Sequence, residues 1–174
     1  MLSLASLAGW EEAVLASITA ASGTAEERYR QIERSGMFGE YPAILSGYLE
    51  LFADEESSLE ALKRAVFLVW RGAMFSPDVT GIAALPDAIS RAVLERLDTA
   101  IGSALVDDEL AWMLAWYRGI GEFALELLGA TPRVLRWEAA LGRDAWREAG
   151  VAPATMRRRG QLGLYWAELA QRTS

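Results

Sequence analysis

Apolar residues recur every three or four positions from one end of this chain to the other, the spacing that lines one face of an α-helix. Nothing in the pattern requires a strand. A first helix is predicted over roughly residues 4–20, with Leu7, Trp10, Val14 and Ile18 inward. Thr24 and Glu27 form a capping box that opens a second helix, which ends at Ser35-Gly36. Pro42 fits the first turn of a third, whose apolar face is Leu45, Tyr48, Leu49 and Phe52. Ser57 and Glu60 make a second box ahead of Ala65-Val66-Phe67-Leu68-Val69-Trp70, a run too apolar for an outer helix and expected to be buried. Residues 73–85 read as a long connection with a turn at Ser76-Pro77-Asp78. Pro86 then starts a fifth helix, with Ile89, Val93, Leu97, Ile101 and Leu105 on one side.

Asp107, Asp108 and Glu109 supply the negative first turn of a sixth helix running to about Leu128. Leu110, Met113, Leu114, Trp116, Tyr117, Ile120, Phe123 and Leu127 cover most of its circumference, leaving Ala115, Arg118, Glu122 and Glu126 for water. Gly129 ends it. Thr131-Pro132 caps a seventh, carried to about Ala149 with Leu135, Leu141 and Trp146 inward, and Gly150 to Pro153 separates it from a last helix ending near Gln171.

The fold class is therefore all-α, about seven to eight antiparallel helices in a single domain over residues 1–174. Two architectures fit. Pro42, Pro86 and Pro132 are spaced by 44 and 46 residues, and Trp70-Arg71-Gly72 returns after 47 residues as Tyr117-Arg118-Gly119. A period in this range is that of HEAT or armadillo hairpins stacked in a right-handed superhelix, with units at 40–84, 85–131 and 132–174 after an N-terminal helix pair at 1–36. The alternative is a compact helical bundle.

Composition narrows the chemistry. The chain has no histidine and no cysteine, which removes the usual general base near neutral pH, every thiolate nucleophile and the commonest zinc ligands. Adjacent acidic pairs such as Glu11-Glu12, Glu26-Glu27, Glu55-Glu56 and Asp107-Asp108 project about 100° apart on a helix, so they read as first-turn charges rather than paired catalytic carboxylates. Gly119-Ile120-Gly121 lacks the third glycine or lysine of a phosphate loop. No metal, cofactor or catalytic residue is assigned. Lys63, the only lysine, is expected to pair with Glu60 at the surface. The stretch Leu2 to Ala25 is broken by Glu11 and Glu12, so no membrane span is expected, and a cytoplasmic setting follows by default. The net charge of −7 argues against nucleic acid and for a basic partner. That charge is uneven: residues 1–129 carry 9 basic and 20 acidic groups, net −11, whereas residues 130–174 carry 8 and 4, net +4. The basic run Arg157-Arg158-Arg159 reads as a solvated helix start.

Two constellations merit inspection as binding residues. Arg64 and Arg71 share one helix face and Arg118 and Glu122 another, and stacked hairpins would bring the two stripes together. Trp112 and Trp116, one turn apart, would form an aromatic anchor if their edge is exposed, and Trp70, beside Arg71, is a further candidate binding position. The leading functional expectation is a non-catalytic protein-interaction module of the adaptor or inhibitor type, with a further option of self-association through the fourth or sixth helix. The alternative is a small-molecule sensor or enzyme with an inter-helix pocket lined by aromatic and arginine side chains.

Overall fold

The computed structural model of the chain describes residues 2–54, 58–83, 85–142 and 153–173. Among these the protein is all-helical, a compact bundle without a strand. Its helices are α1 (Leu4–Ala20), α2 (Ala25–Arg34), α3 (Glu40–Leu51), α4 (Ser58–Met74), α5 (Pro77–Thr80), α6 (Asp87–Gly102), α7 (Asp108–Ile120), α8 (Ala124–Leu127), α9 (Pro132–Ala140) and α10 (Gly160–Thr173), with 3-10 turns at Met37–Gly39 and Pro153–Met156.

Local capping explains most of the boundaries. The Glu27 N–H donates to Thr24 Oγ1 at 3.3 Å and the Thr24 N–H to Glu27 Oε2 at 2.8 Å, the expected box. Ser3 and Ser6 make another at the head of α1. Asp107 caps α7 by accepting from the Leu110 N–H at 2.9 Å, and Thr131 caps α9 ahead of Pro132. The box expected from Ser57 lies outside the described residues.

The centre of the bundle is α4. Every residue from Ala61 to Trp70 is buried, and α3, α6 and α10 pack around it, with α8 and α5 also in contact. Helix α1 lies across α3 and α10. Its approach to α3 is close at Gly47, where an added Cβ would sit 2.8 Å from Leu7 Cδ2. Phe67, Leu68 and Trp70 are fully enclosed, and each such side chain stabilises the fold by about 2–3 kcal/mol.

Several expected elements take a different form. The connection over 73–85 contains α5. The long sixth helix is two pieces, because Gly121 leaves helical geometry (φ −151°, ψ 90°) and the chain restarts at Ala124. Ile120, at the end of α7, and Phe123 and Leu127, beyond the break, are exposed, while Ala115, assigned to water, is buried. The seventh helix ends at Ala140 on an extended Leu141, and residues 143–152, including Trp146, lie outside the described residues. On α1 the inward face is Leu7, Glu11, Val14 and Ile18, and Trp10 sits at its edge donating to Glu40 Oε2 at 2.7 Å. No helix among the described residues is long and apolar enough to cross a membrane.

Candidate functional site

Three features of the structure carry chemistry or an open surface. The first is an ion network at the N-terminal half of α4. Lys63, expected at the surface beside Glu60, is 5% exposed and donates instead to Asp107 at 2.6 Å and to Glu109. Glu60 is engaged by Arg64 Nε at 2.7 Å and by Arg159, whose Nε and Nη2 reach its two oxygens at 2.8 and 2.5 Å. Arg159 also donates to Glu109 at 2.7 and 3.0 Å, so it is a buried clamp and not part of a solvated basic run. Burial alone would raise the Glu109 carboxyl, but Arg159 and Lys63 together hold it below the usual carboxylate value.

The second is a polar seam where α1, α3, α5 and α10 meet. Glu11 is 1% exposed, far from the first-turn role expected of the Glu11-Glu12 pair. Its carboxylate accepts from the Tyr48 hydroxyl and, at 2.7 Å, from the Gln161 backbone N–H. The Gln161 amide spans to the Tyr41 hydroxyl and to the Thr80 carbonyl at 2.7 Å. Burial pushes the Glu11 carboxyl up to about 7 against the pull of Tyr48, Gln161 and Arg64. Its place could have been found in the sequence, since Glu11 stands four after Leu7 and three before Val14 in the apolar stripe.

The third is a surface. Ile120, Phe123 and Leu127 are 44%, 63% and 85% exposed. Of these, Leu127 lies in the wall of an open cleft of about 380 Å³ between the end of α4, the start of α6 and the end of α8, lined also by Val69, Gly72, Leu85, Asp87, Arg91 and Leu128 among others. A second cleft of about 340 Å³ lies between α4 and α6, with Phe52, Leu62, Arg96 and Leu105 in its wall.

The predicted binding residues do not share one concave face. Arg64 belongs to the ion network and also donates to the Leu4 carbonyl at 2.9 Å. Arg118 is turned toward α9, donating to the carbonyls of Glu138 and Ala139 at 3.4 and 3.1 Å, with Glu122 3.6 Å away. Trp70 is fully buried and stacks on Tyr117 at 4.3 Å, so the aromatic members of the two repeated triplets meet face to face. Trp112 packs edge-on against Trp166 at 4.4 Å, and Trp116 donates to the Tyr165 hydroxyl at 2.7 Å, which places both in an inter-helix aromatic cluster and not at a free edge. Arg71 joins that cluster, its guanidinium 5.6, 5.4 and 5.2 Å from the rings of Phe67, Phe75 and Tyr165.

The exposed stripe was missed because Ile120, Phe123 and Leu127 continue the inward spacing of α7; Gly119 and Gly121 were the signal that the helix could stop there. Among the described residues no group of three or more acidic side chains is placed to hold a metal ion. No protein-family model, curated protein or solved structure matches this chain.

Proposed function

We propose that the chain is a non-catalytic protein-interaction module that docks a basic, amphipathic segment of another protein along α7–α8. The observation that carries this reading is the exposure of Ile120, Phe123 and Leu127 along α7–α8, the last of them in the wall of an open cleft. Monomeric proteins scatter exposed apolar residues singly, whereas neighbouring ones next to a concavity mark a contact surface. Around it stand the exposed Glu122, Glu126 and Asp87 with Arg91 and Arg118, the latter 3.6 Å from Glu122, an acidic excess of one that favours a cationic partner. The stacking of Trp70 on Tyr117 supports treating the two triplets as related units of a repeated hairpin. A cytoplasmic setting belongs to the same proposal.

The test replaces Phe123 and Leu127 with serine. Both side chains are largely exposed already, so stability should change by less than about 0.5 kcal/mol. A photo-reactive residue at Glu126 should crosslink to a partner, and a synthetic peptide of the crosslinked segment should be basic and bind the wild type at least about tenfold more tightly than the double variant. Equal binding by both forms refutes the site. Dimeric sedimentation abolished by the double substitution would replace the outside partner with a second copy of the chain.

A further inference from the structure

The cleft of about 340 Å³ between α4 and α6 is walled chiefly by apolar side chains. Phe52, Leu62 and Ala100 are its buried members, and Leu59 and Leu105 stand nearer to solvent. Leu105 is held in the wall by the end of α6. There Ala104 turns the chain with a left-handed backbone (φ 54°), and the N–H groups of Ala104 and Leu105 close onto the carbonyls of Ile101 and Ala100 at 3.2 and 2.9 Å. Glycine ordinarily makes that turn without strain; here an alanine makes it and leaves a leucine 65% exposed in the wall of an apolar cleft.

Among the described residues that line this cleft, Arg96 alone is charged. Its guanidinium lies 5.6 Å from the centre of the Phe52 ring and donates through Nη2 to the Phe52 carbonyl at 3.2 Å, so the cation is tethered beside the apolar wall. That bond leaves the rest of its N–H fork available to a ligand. Arg96 makes no ion pair among the described residues, and Asp98, on the same helix, is held by Arg133 at 3.3 Å and by Thr131.

We propose that this cleft binds a small amphiphilic monoanion, an alkyl carboxylate of medium length, with its chain along Leu59, Leu62 and Leu105 and its carboxylate on the Arg96 guanidinium at the mouth. The chemistry follows from the lining. An apolar wall rewards the burial of methylene groups, and one cation matches one negative charge. Because Arg96 is exposed, the carboxylate keeps part of its water and avoids the cost of a buried ion. A neutral ligand would leave the cation unused, and a dianion would lack a second one. The volume fits the low end of small-molecule sites, which run from about 300 to 1,000 Å³. This cleft shares no lining residue with the one beside Leu127, so the site does not depend on the docking proposed for α7–α8.

Sodium octanoate is the probe, kept below its micelle concentration and titrated at constant ionic strength while the leucine methyl resonances are followed by two-dimensional NMR. The expected result is a saturable shift of the Leu62 and Leu105 signals, with hexanoate weaker by up to about fifteenfold, about fourfold for each methylene lost. Octanamide, of the same length without the charge, should bind the wild type about fivefold more weakly than octanoate. Arg96→Met should bring the two ligands to equal affinity while leaving octanamide as it was. Leu105→Ser, at an exposed position where folding is little affected, should weaken both alike. Equal binding of octanoate and octanamide by the wild type overturns the inference, as does a preference for octanoate that survives Arg96→Met. So does absence of saturation up to about 20 mM octanoate, or a shift that gathers on Val69 and Leu127 instead.

Discussion

Replacing Glu11 with glutamine tests how the interior of the bundle responds to pH. In the folded chain burial raises this carboxyl from its ordinary 4.5 to about 7, despite the opposing hydrogen bonds from Tyr48 and Gln161 and the charge of Arg64. In the unfolded chain it titrates near the ordinary value. Between about pH 4.5 and 7 the folded state therefore holds a proton that the unfolded state has released, and the stabilisation, complete below that window, is lost as pH rises through it. At about 1.4 kcal/mol per pH unit over the window, the loss by pH 8 is about 3 kcal/mol. Glu138, also buried and pushed up to about 7 against the pull of Arg118, adds to the same slope. The chain has no histidine, the usual source of titration in this range. Carboxyls held low, such as Glu109, act below pH 4.5 and with opposite sign. Urea unfolding at pH 5, 6, 7 and 8 should show wild-type stability falling, Glu11→Gln falling much less, and Glu11→Gln with Glu138→Gln nearly level. Wild-type stability that is flat or rises over this range, or a decline that Glu11→Gln leaves untouched, refutes the reasoning.

Other perturbations reach separate parts of the structure. Arg159→Met leaves Glu60 and Glu109 short of a counter-charge; because both carboxylates are about a quarter exposed, the expected loss is about 2 kcal/mol by urea unfolding, below the full cost of breaking a buried pair. Gly160→Ala places a Cβ 2.5 Å from Glu11 Oε2 at φ +60°, and should lower stability by about 3 kcal/mol through the left-handed backbone and the collision together. Phe67→Ala empties the centre of the aromatic cluster and should cost about 4 kcal/mol in the same assay.

What could be read in the sequence was what depends on near neighbours. Thr24 with Glu27, Thr131 before Pro132, and the all-apolar run ending at Trp70 fix helices or burial within one or two turns, and the structure places each as expected. The sequence could not show which distant residue would complete a charge. Glu60 lies three residues before Lys63, the better partner by spacing, yet its oxygens are taken by Arg64 and by Arg159, 99 residues away, while Lys63 turns to Asp107 and Glu109, 44 and 46 residues on. The same limit applies to Trp70 and Arg71: the repeated triplet drew attention to both, but their setting depends on Tyr165, which α10 contributes from the other end of the chain.

The uneven charge of the chain gains a physical meaning from these partners. In the ion network Lys63, Arg64 and Arg159 face Glu60, Asp107 and Glu109, three charges of each sign, so the net −7 of the protein resides outside it. Part of the basic C-terminal region is thus spent inside as a counter-ion, and the acidic excess is left to exposed side chains such as Glu12, Glu33, Glu95, Asp108, Glu122 and Glu126. Exposed charges are screened within a Debye length of about 8 Å at physiological salt, whereas buried pairs are screened far less. Raising salt to about 1 M should therefore weaken docking of a basic segment while leaving the Arg159 clamp closed; if binding persisted unchanged, the apolar stripe alone would account for it and the acidic rim would have no part in selecting the partner.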